Sequence, residues 1–196
     1  MSNLILPPKD IYIPKNYSIY VKPSDNEISQ RKLESYLKLA EIKQWGIKNP
    51  TKFMSIFLGV DLLDAQEYVF MNSWTKPFAL WLESRAAGKT TMLALYSMMK
   101  GLLFNNYRIY ICSGTADQSQ ETFKKIEDIA LKNIESMIGL TDVFKNEVEV
   151  SQSSSNGFVH NPMGFTYSLY NGSFVKTLNS NIDAKRGKQI IKILIM

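Results

Sequence analysis

The chain has 196 residues, enough for one ordinary domain, and its 45% hydrophobic and 12% aromatic residues indicate a folded rather than a disordered chain. Its single cysteine, Cys112, and its single histidine, His160, exclude an internal disulfide and a structural zinc site built from such ligands. The net charge is +5, but residues 176–196 hold five basic side chains against one acidic one, so overall charge alone does not indicate nucleic-acid binding.

The first 75 residues are predicted to form an extended arm followed by a few helices. Prolines interrupt residues 1–28, which favours extended chain there. Apolar residues at helical spacing predict an amphipathic helix from Ser29 to Trp45, and a shorter helix capped by Thr51 from Lys52 to Leu58. The opening residues lack the basic region and long apolar stretch of a secretion signal, so we expect a protein that is neither secreted nor membrane-bound.

Residues 76–196 change to an alternation of strand and helix. The short apolar run Phe78–Leu82 predicts a buried strand, and Thr90–Phe104 is apolar nearly all round, which predicts a helix between layers. Arg108–Cys112 predicts the next strand, and apolar residues from Phe123 to Met137 predict a second helix. This order predicts an α/β fold, a parallel sheet with helices on both faces.

The last third of the chain predicts further strands. Two hairpin strands, Gly157–Tyr170 and Ser173–Leu178, are expected on either side of the turn Asn171-Gly172. The apolar run Ile190–Ile195 predicts one more strand at the end of the sequence.

The turn between the first predicted strand and the helix after it has the composition of a phosphate-binding loop. Backbone N–H groups at a helix N-terminus point at an anion, and the helix dipole favours negative charge there. A glycine lets the backbone approach a phosphate, a lysine reaches the outer phosphate oxygens, and a threonine hydroxyl can bind Mg²⁺. Glu83 stands where the common motif has glycine, so an ordinary turn that contains Gly-Lys-Thr is the alternative. The context favours an ATP and Mg²⁺ site, with Thr90 as the metal ligand, formed by Ser84, Arg85, Ala86, Ala87, Gly88, Lys89, Thr90 and Thr91.

This turn also resembles a known family. The segment Ser84–Thr90 is similar to the loop Ser-Arg-x-x-Gly-Lys-Thr/Ser of the large terminase subunits of tailed bacteriophages, which are ATP-driven motors that package DNA. Four further likenesses follow in the family's order between Leu63 and Lys188: Leu63 with Gln66, the segment Ile111–Gln118, the turn Asn171-Gly172-Ser173, and Arg186-Gly187.

The resemblance implies an incomplete P-loop NTPase core preceded by the arm and helices. It implies that Gln66 contacts adenine, that Lys89 and Arg85 are catalytic cations, and that ATP and Mg²⁺ are the ligands. It also implies double-stranded DNA, the portal protein and the small terminase subunit as partners, a homo-oligomeric ring, and action in the host cytoplasm.

The resemblance breaks off at the predicted last strand. In the family that strand ends in the Asp-Glu pair of the Walker B motif, whereas here Ile190–Ile195 is followed only by Met196. We therefore expect a chain truncated before the catalytic carboxylates and the nuclease domain, and inactive in hydrolysis alone. The alternatives are a non-hydrolysing nucleotide-binding or assembly fragment that acts with a separately encoded remainder, or a helicase-like translocase. Glu83-Ser84-Arg85 in place of a glycine argues against the translocase.

Overall fold

The computed structural model describes residues 30–82, 84, 87–113, 115–131, 143–150, 154–162, 164–178 and 192–195, and the predicted arm over residues 1–28 lies outside them. The helices are α1 (Gln30–Lys48), α2 (Pro50–Phe53, continued by a π-helical turn, Met54–Leu58), α3 (Asp64–Trp74), α4 (Lys89–Leu103), α5 (Ala116–Ala130) and α6 (Val143–Glu147). The strands are β1 (Arg108–Cys112), β2 (Val159–Asn161), β3 (Gly164–Ser168), β4 (Phe174–Leu178) and β5 (Lys192–Ile195). Over these ranges, no helix combines the length and the apolar character that crossing a membrane requires.

The strands form one mixed sheet of five strands in the order β2-β3-β4-β1-β5. Strands β4, β1 and β5 are parallel, with Tyr110 opposite Lys176 on one side and Ile193 on the other. Strands β3 and β2 continue the sheet in antiparallel fashion beyond β4. The α/β class is thus confirmed, whereas the sheet is mixed rather than purely parallel, because the hairpins add antiparallel neighbours.

The main core lies between one face of the sheet and the helices. Ile109, Ile111 and Val175 point from β1 and β4 into this core, where α4 and α5 pack. The opposite face carries a separate small cluster of Tyr110, Cys112 and Leu178. Within the described ranges, helices therefore cover one face of the sheet. The prediction of helices on both faces is confirmed for that face only.

Helix α4 is buried from Ala94 to Leu103, as its nearly continuous apolar sequence predicts. Helices α2 and α3 share its core through side chains such as Phe53, Phe70 and Trp74. Lys100 is the buried cation of this helix. Its ammonium donates to the Trp74 carbonyl at 2.7 Å and lies 3.9 Å from the centroid of the Trp74 ring. The hydrogen bond and the cation–π contact together offset the desolvation of the charge.

The apolar run Phe78–Leu82 is not a strand, so this prediction was wrong. Phe78, Leu80 and Leu82 are 91%, 81% and 85% exposed, whereas Trp81 packs inward and its indole N–H donates to Ser73 Oγ at 2.5 Å. A strand needs a neighbour for its backbone groups. Both edges of β1 are already paired, with β4 and with β5, so the run has no place beside the central strand.

Several predicted boundaries shift. Helix α1 runs to Lys48, beyond its predicted end at Trp45, and α2 begins at Pro50 after Asn49 rather than with Thr51 as its cap. The Thr51 hydroxyl instead donates to Glu67 Oε1 at 2.7 Å. Helix α5 begins earlier than predicted, at Ala116, and the predicted end near Met137 lies outside the described residues.

The predicted strand Gly157–Tyr170 is in fact two strands, β2 and β3, which reverse between Asn161 and Gly164. The antiparallel pairing across Asn171-Gly172 is confirmed, because Tyr167 lies opposite Val175. The predicted last strand is present as β5, which pairs in parallel with β1, and Ile190 lies outside the described residues.

Asn171 caps the C-terminal end of α4. The buried carboxamide nitrogen donates to three carbonyls there, at 2.7 to 3.2 Å, those of Gly101, Leu102 and Phe104. Its carboxamide oxygen accepts from the Ser173 N–H at 2.9 Å. The turn that precedes β4 thus satisfies carbonyls that a helix end leaves without partners.

Candidate functional site

The candidate phosphate-binding turn leads directly into α4. Ser84, Ala87 and the residues from Gly88 to Thr91 are described, whereas Glu83, Arg85 and Ala86 lie outside the described residues. The roles predicted for Arg85 and Ala86 therefore stay predictions.

Gly88 begins the helix in a conformation that favours glycine. It is the N-cap residue of α4, with φ of +86°, and α4 has no side-chain cap. A Cβ at this position would lie 2.9 Å from the Gln66 Nε2 atom. The first hydrogen bond of the helix runs from Met92 N to Gly88 O at 2.9 Å. The N–H groups of Thr90 and Thr91 precede this bond and have no acceptor within the helix.

Lys89 folds back over the turn. Its ammonium donates to the Ser84 carbonyl at 2.7 Å, and the Ala87 N–H points to the same carbonyl at 3.4 Å. The positive charge of the lysine and the positive end of the α4 dipole therefore meet at one place, an arrangement that favours a bound anion.

Gln66 connects α3 to this turn. Its side-chain oxygen accepts from the Leu63 N–H at 3.2 Å, at the start of α3. Its side-chain nitrogen donates to the Ala87 carbonyl at 3.0 Å. The sequence placed Gln66 at the site through its resemblance to an adenine-contacting glutamine, but the hydrogen bond to the turn was not predicted. The two residues are 21 positions apart, and no sequence pattern signals that contact.

The predicted metal ligand Thr90 is half-buried in the first turn of α4. Over the described ranges, no group of three or more His, Cys, Asp or Glu side chains lies close enough to hold a metal ion. Mg²⁺ bound with a nucleotide needs no such group, because it keeps several waters and takes most other ligands from phosphates. A single hydroxyl beside a phosphate site fits this mode of binding.

The segment Ile111–Gln118 forms the end of β1 and the start of α5. Ser113 is buried, and its hydroxyl donates to the Thr115 carbonyl. Thr115 in turn caps α5, with Gln118 N 3.4 Å from its hydroxyl oxygen. These contacts are those of a strand-to-helix turn, and the likeness of the segment to the terminase family stays a prediction.

The histidine forms a structural contact. His160 Nε2 lies 2.8 Å from Glu127 Oε2, and the imidazole packs 4.6 Å from the ring of Phe165. Asn156 also donates to Glu127, at 3.3 Å. The contact between His160 and Glu127 thereby joins the hairpin of β2 and β3 to α5.

A comparison with known protein families finds no match to this chain, and a comparison with curated proteins finds none either. The turn before α4 and the sequence resemblance are therefore the two features of this chain that bear on its function.

Proposed function

We propose that the chain binds ATP with Mg²⁺ at residues 84–91, as the ATP-binding part of a DNA-packaging motor of the terminase large-subunit type. The observation that carries the proposal is the start of α4. Gly88 caps the helix in the left-handed conformation, with φ of +86°, and the Lys89 ammonium lies over the same turn. A helix N-terminus with a neighbouring ammonium is a site that suits phosphate groups.

Different residues of the turn bind different parts of the Mg²⁺–triphosphate group. The amides at the start of α4 donate to phosphate oxygens, and Gly88 allows the left-handed backbone conformation with which the helix begins. Lys89 exchanges its bond to the Ser84 carbonyl, now 2.7 Å long, for a charge-assisted bond to the outer phosphates. Thr90 supplies a hydroxyl to Mg²⁺, which neutralises phosphate charge when bound.

The motor role depends on the sequence resemblance. The segment Ser84–Thr90 fits the family's loop, and Asn171-Gly172-Ser173 and Arg186-Gly187 follow in the family's order. In this proposal the core of the chain has a P-loop NTPase fold. The partners of the protein are double-stranded DNA, the portal protein, the small terminase subunit and further copies of itself in a ring. Arg85 and Lys89 are the cations assigned to catalysis in the complete motor.

The test is the replacement Lys89→Ala, with binding of a fluorescent ATP analogue in the presence of Mg²⁺ as the measurement. Loss of a charge-assisted hydrogen bond, worth about 1.5 to 3 kcal/mol, is expected to weaken binding by about tenfold or more. Lys124→Ala is the matched control, because Lys124 is an exposed lysine on α5. Unchanged affinity of Lys89→Ala would refute the site.

Phosphate release from ATP, measured on the same samples, separates binding from hydrolysis. Turnover at background, together with binding that depends on Lys89, is expected, because residues 84–91 include no carboxylate that could position the attacking water. Turnover well above background would show that a carboxylate of this chain serves as the base, and the expectation of inactivity alone would be wrong.

A further inference from the structure

Gln66 uses both polar atoms of its side chain in contacts within the protein. The oxygen accepts from Leu63 N at 3.2 Å and the nitrogen donates to Ala87 O at 3.0 Å. The nitrogen also lies 2.9 Å from the place where a Cβ on Gly88 would be. The carboxamide therefore lies directly against the backbone of the phosphate-binding turn.

This arrangement lets Gln66 act on the turn without any nucleotide base. A carboxamide that recognises adenine in bidentate fashion uses its oxygen and its nitrogen together, one as acceptor and one as donor. In Gln66 the oxygen is turned to the start of α3 and the nitrogen to the turn. Each of these atoms keeps one further hydrogen-bonding position, a second lone pair on the oxygen and a second N–H on the nitrogen, so the bond to the Ala87 carbonyl can persist with any ligand that occupies the turn.

Helix α3, which carries Gln66, is itself fixed to α4, so it can hold the contact between Gln66 and Ala87 in place. Near its C-terminal end, the Trp74 carbonyl accepts from the Lys100 ammonium at 2.7 Å, and the Ser73 carbonyl accepts from the Tyr96 hydroxyl at 3.1 Å. Both donors belong to α4, the helix that begins at the turn. Helix α3 is thus bonded to α4 near its own C-terminal end, and near its N-terminal end Gln66 bonds to the turn that precedes α4.

We propose that Gln66 is a positioning residue, which holds the phosphate-binding turn in place through the Ala87 carbonyl. The inference rests on the proposed function, because it concerns the same site. It predicts that Gln66 contributes equally to binding of any ligand that carries the triphosphate, with or without adenine.

The experiment compares the replacement Gln66→Ala with the wild-type protein by calorimetric titration of ATP, GTP and inorganic tripolyphosphate, each with Mg²⁺. Without the bond from Gln66 to Ala87, the binding affinity for all three ligands is expected to fall by one common factor, about tenfold for one hydrogen bond of this kind. Gln44→Ala, at an exposed position of α1, is the control and is expected to change nothing.

Hydrogen exchange gives a second measurement that needs no ligand. Amide exchange at residues 87–89 is expected to rise in Gln66→Ala, whereas exchange in the interior of α4 around Leu95 stays as in the wild type. Rise throughout α4 would indicate general destabilisation and would contradict a positioning role.

The outcomes separate this inference from the proposed function. If the wild type binds ATP and Gln66→Ala loses affinity for ATP but keeps that for tripolyphosphate, Gln66 reads the base and the inference is wrong, while the proposed function stands. If Gln66→Ala changes none of the three affinities, the inference is again wrong alone. If the wild type binds none of the three ligands, the proposed function is wrong, and the inference about Gln66 is wrong as well.

Discussion

Glu147, at the end of α6, is a carboxyl that the fold holds in an unfavourable environment. Burial raises the pKa of its carboxyl to about 8, from an ordinary value of 4.5. Its Oε2 atom is buried without a hydrogen-bond partner within the described chain, and so is the hydroxyl of Tyr167. Desolvation without a donor disfavours the charged form, so the carboxyl is largely protonated at neutral pH.

This environment predicts a loss of stability as pH rises. The pKa of Glu147 is higher in the folded protein than its ordinary value, so its burial costs least below pH 4.5 and stability is lost between pH 4.5 and about 8. Glu147→Gln removes the ionisation and is expected to make the protein more stable than the wild type at pH 8, on the order of 2 kcal/mol. Urea unfolding midpoints at pH 5 and pH 8 are the measurement. Glu149→Gln, at an exposed position, is the control, and equal pH dependence in wild type and Glu147→Gln would contradict the assignment.

For single residues, the sequence predicted structure where the residues that decide it are neighbours along the chain. The Gly88-Lys89-Thr90 motif predicted that a helix begins here, and α4 does begin at Lys89. The contact between Gln66 and Ala87 and the buried state of Glu147 were not predictable, because both depend on segments that meet only in the folded chain.

At the scale of elements, the turn before β4 holds α4 at its far end. Asn171→Ala removes the donor to three helix carbonyls and the acceptor for Ser173 N. Because these partners are buried, the replacement is expected to lower the free energy of unfolding by about 2 kcal/mol. Chemical denaturation measures this change. Asn72→Ala is the control, since Asn72 is exposed and makes a single bond within α3. A loss in Asn171→Ala no larger than that in Asn72→Ala would refute the capping role.

Most helices and strands were predicted well, but one short apolar run was not. Helix α4 and strands β1 and β4 lie where the sequence indicated. Phe78–Leu82 has the composition of a buried strand, but composition cannot show whether a neighbouring strand is present to pair with it. The predicted strand Gly157–Tyr170 divides into β2 and β3 because the chain reverses at Pro162, a residue that cannot donate to a strand ladder.

At the scale of the whole molecule, Phe78, Leu80 and Leu82 are exposed apolar side chains in one short segment, and exposed apolar patches favour association between molecules. Leu80 is 81% exposed, whereas Leu95 in α4 is fully buried. Leu80→Asp is therefore expected to change the free energy of unfolding by less than about 0.5 kcal/mol and to reduce self-association. Leu95→Ala is expected to cost about 2 to 5 kcal/mol. Sedimentation velocity and denaturant unfolding measure the two effects, and a stability loss in Leu80→Asp comparable to that of Leu95→Ala would contradict the exposed position.

The fold class followed from the order of strand and helix signals, but the arrangement of the sheet did not. The alternation up to α5 indicated parallel strands, and β1, β4 and β5 are parallel. The hairpin signal at Asn171-Gly172 already required an antiparallel neighbour, so the mixed sheet combines both signals. That β4 lies between β3 and β1 depends on long-range packing, which local patterns do not encode.

The cation held over Trp74 gives this protein a built-in optical probe. An ammonium 3.9 Å from the indole ring perturbs the excited state of that tryptophan, so its emission depends on whether α3 remains docked on α4. In a variant that keeps Trp74 and carries Phe in place of Trp45 and Trp81, fluorescence would then report any loosening that spreads from the start of α4 to its middle.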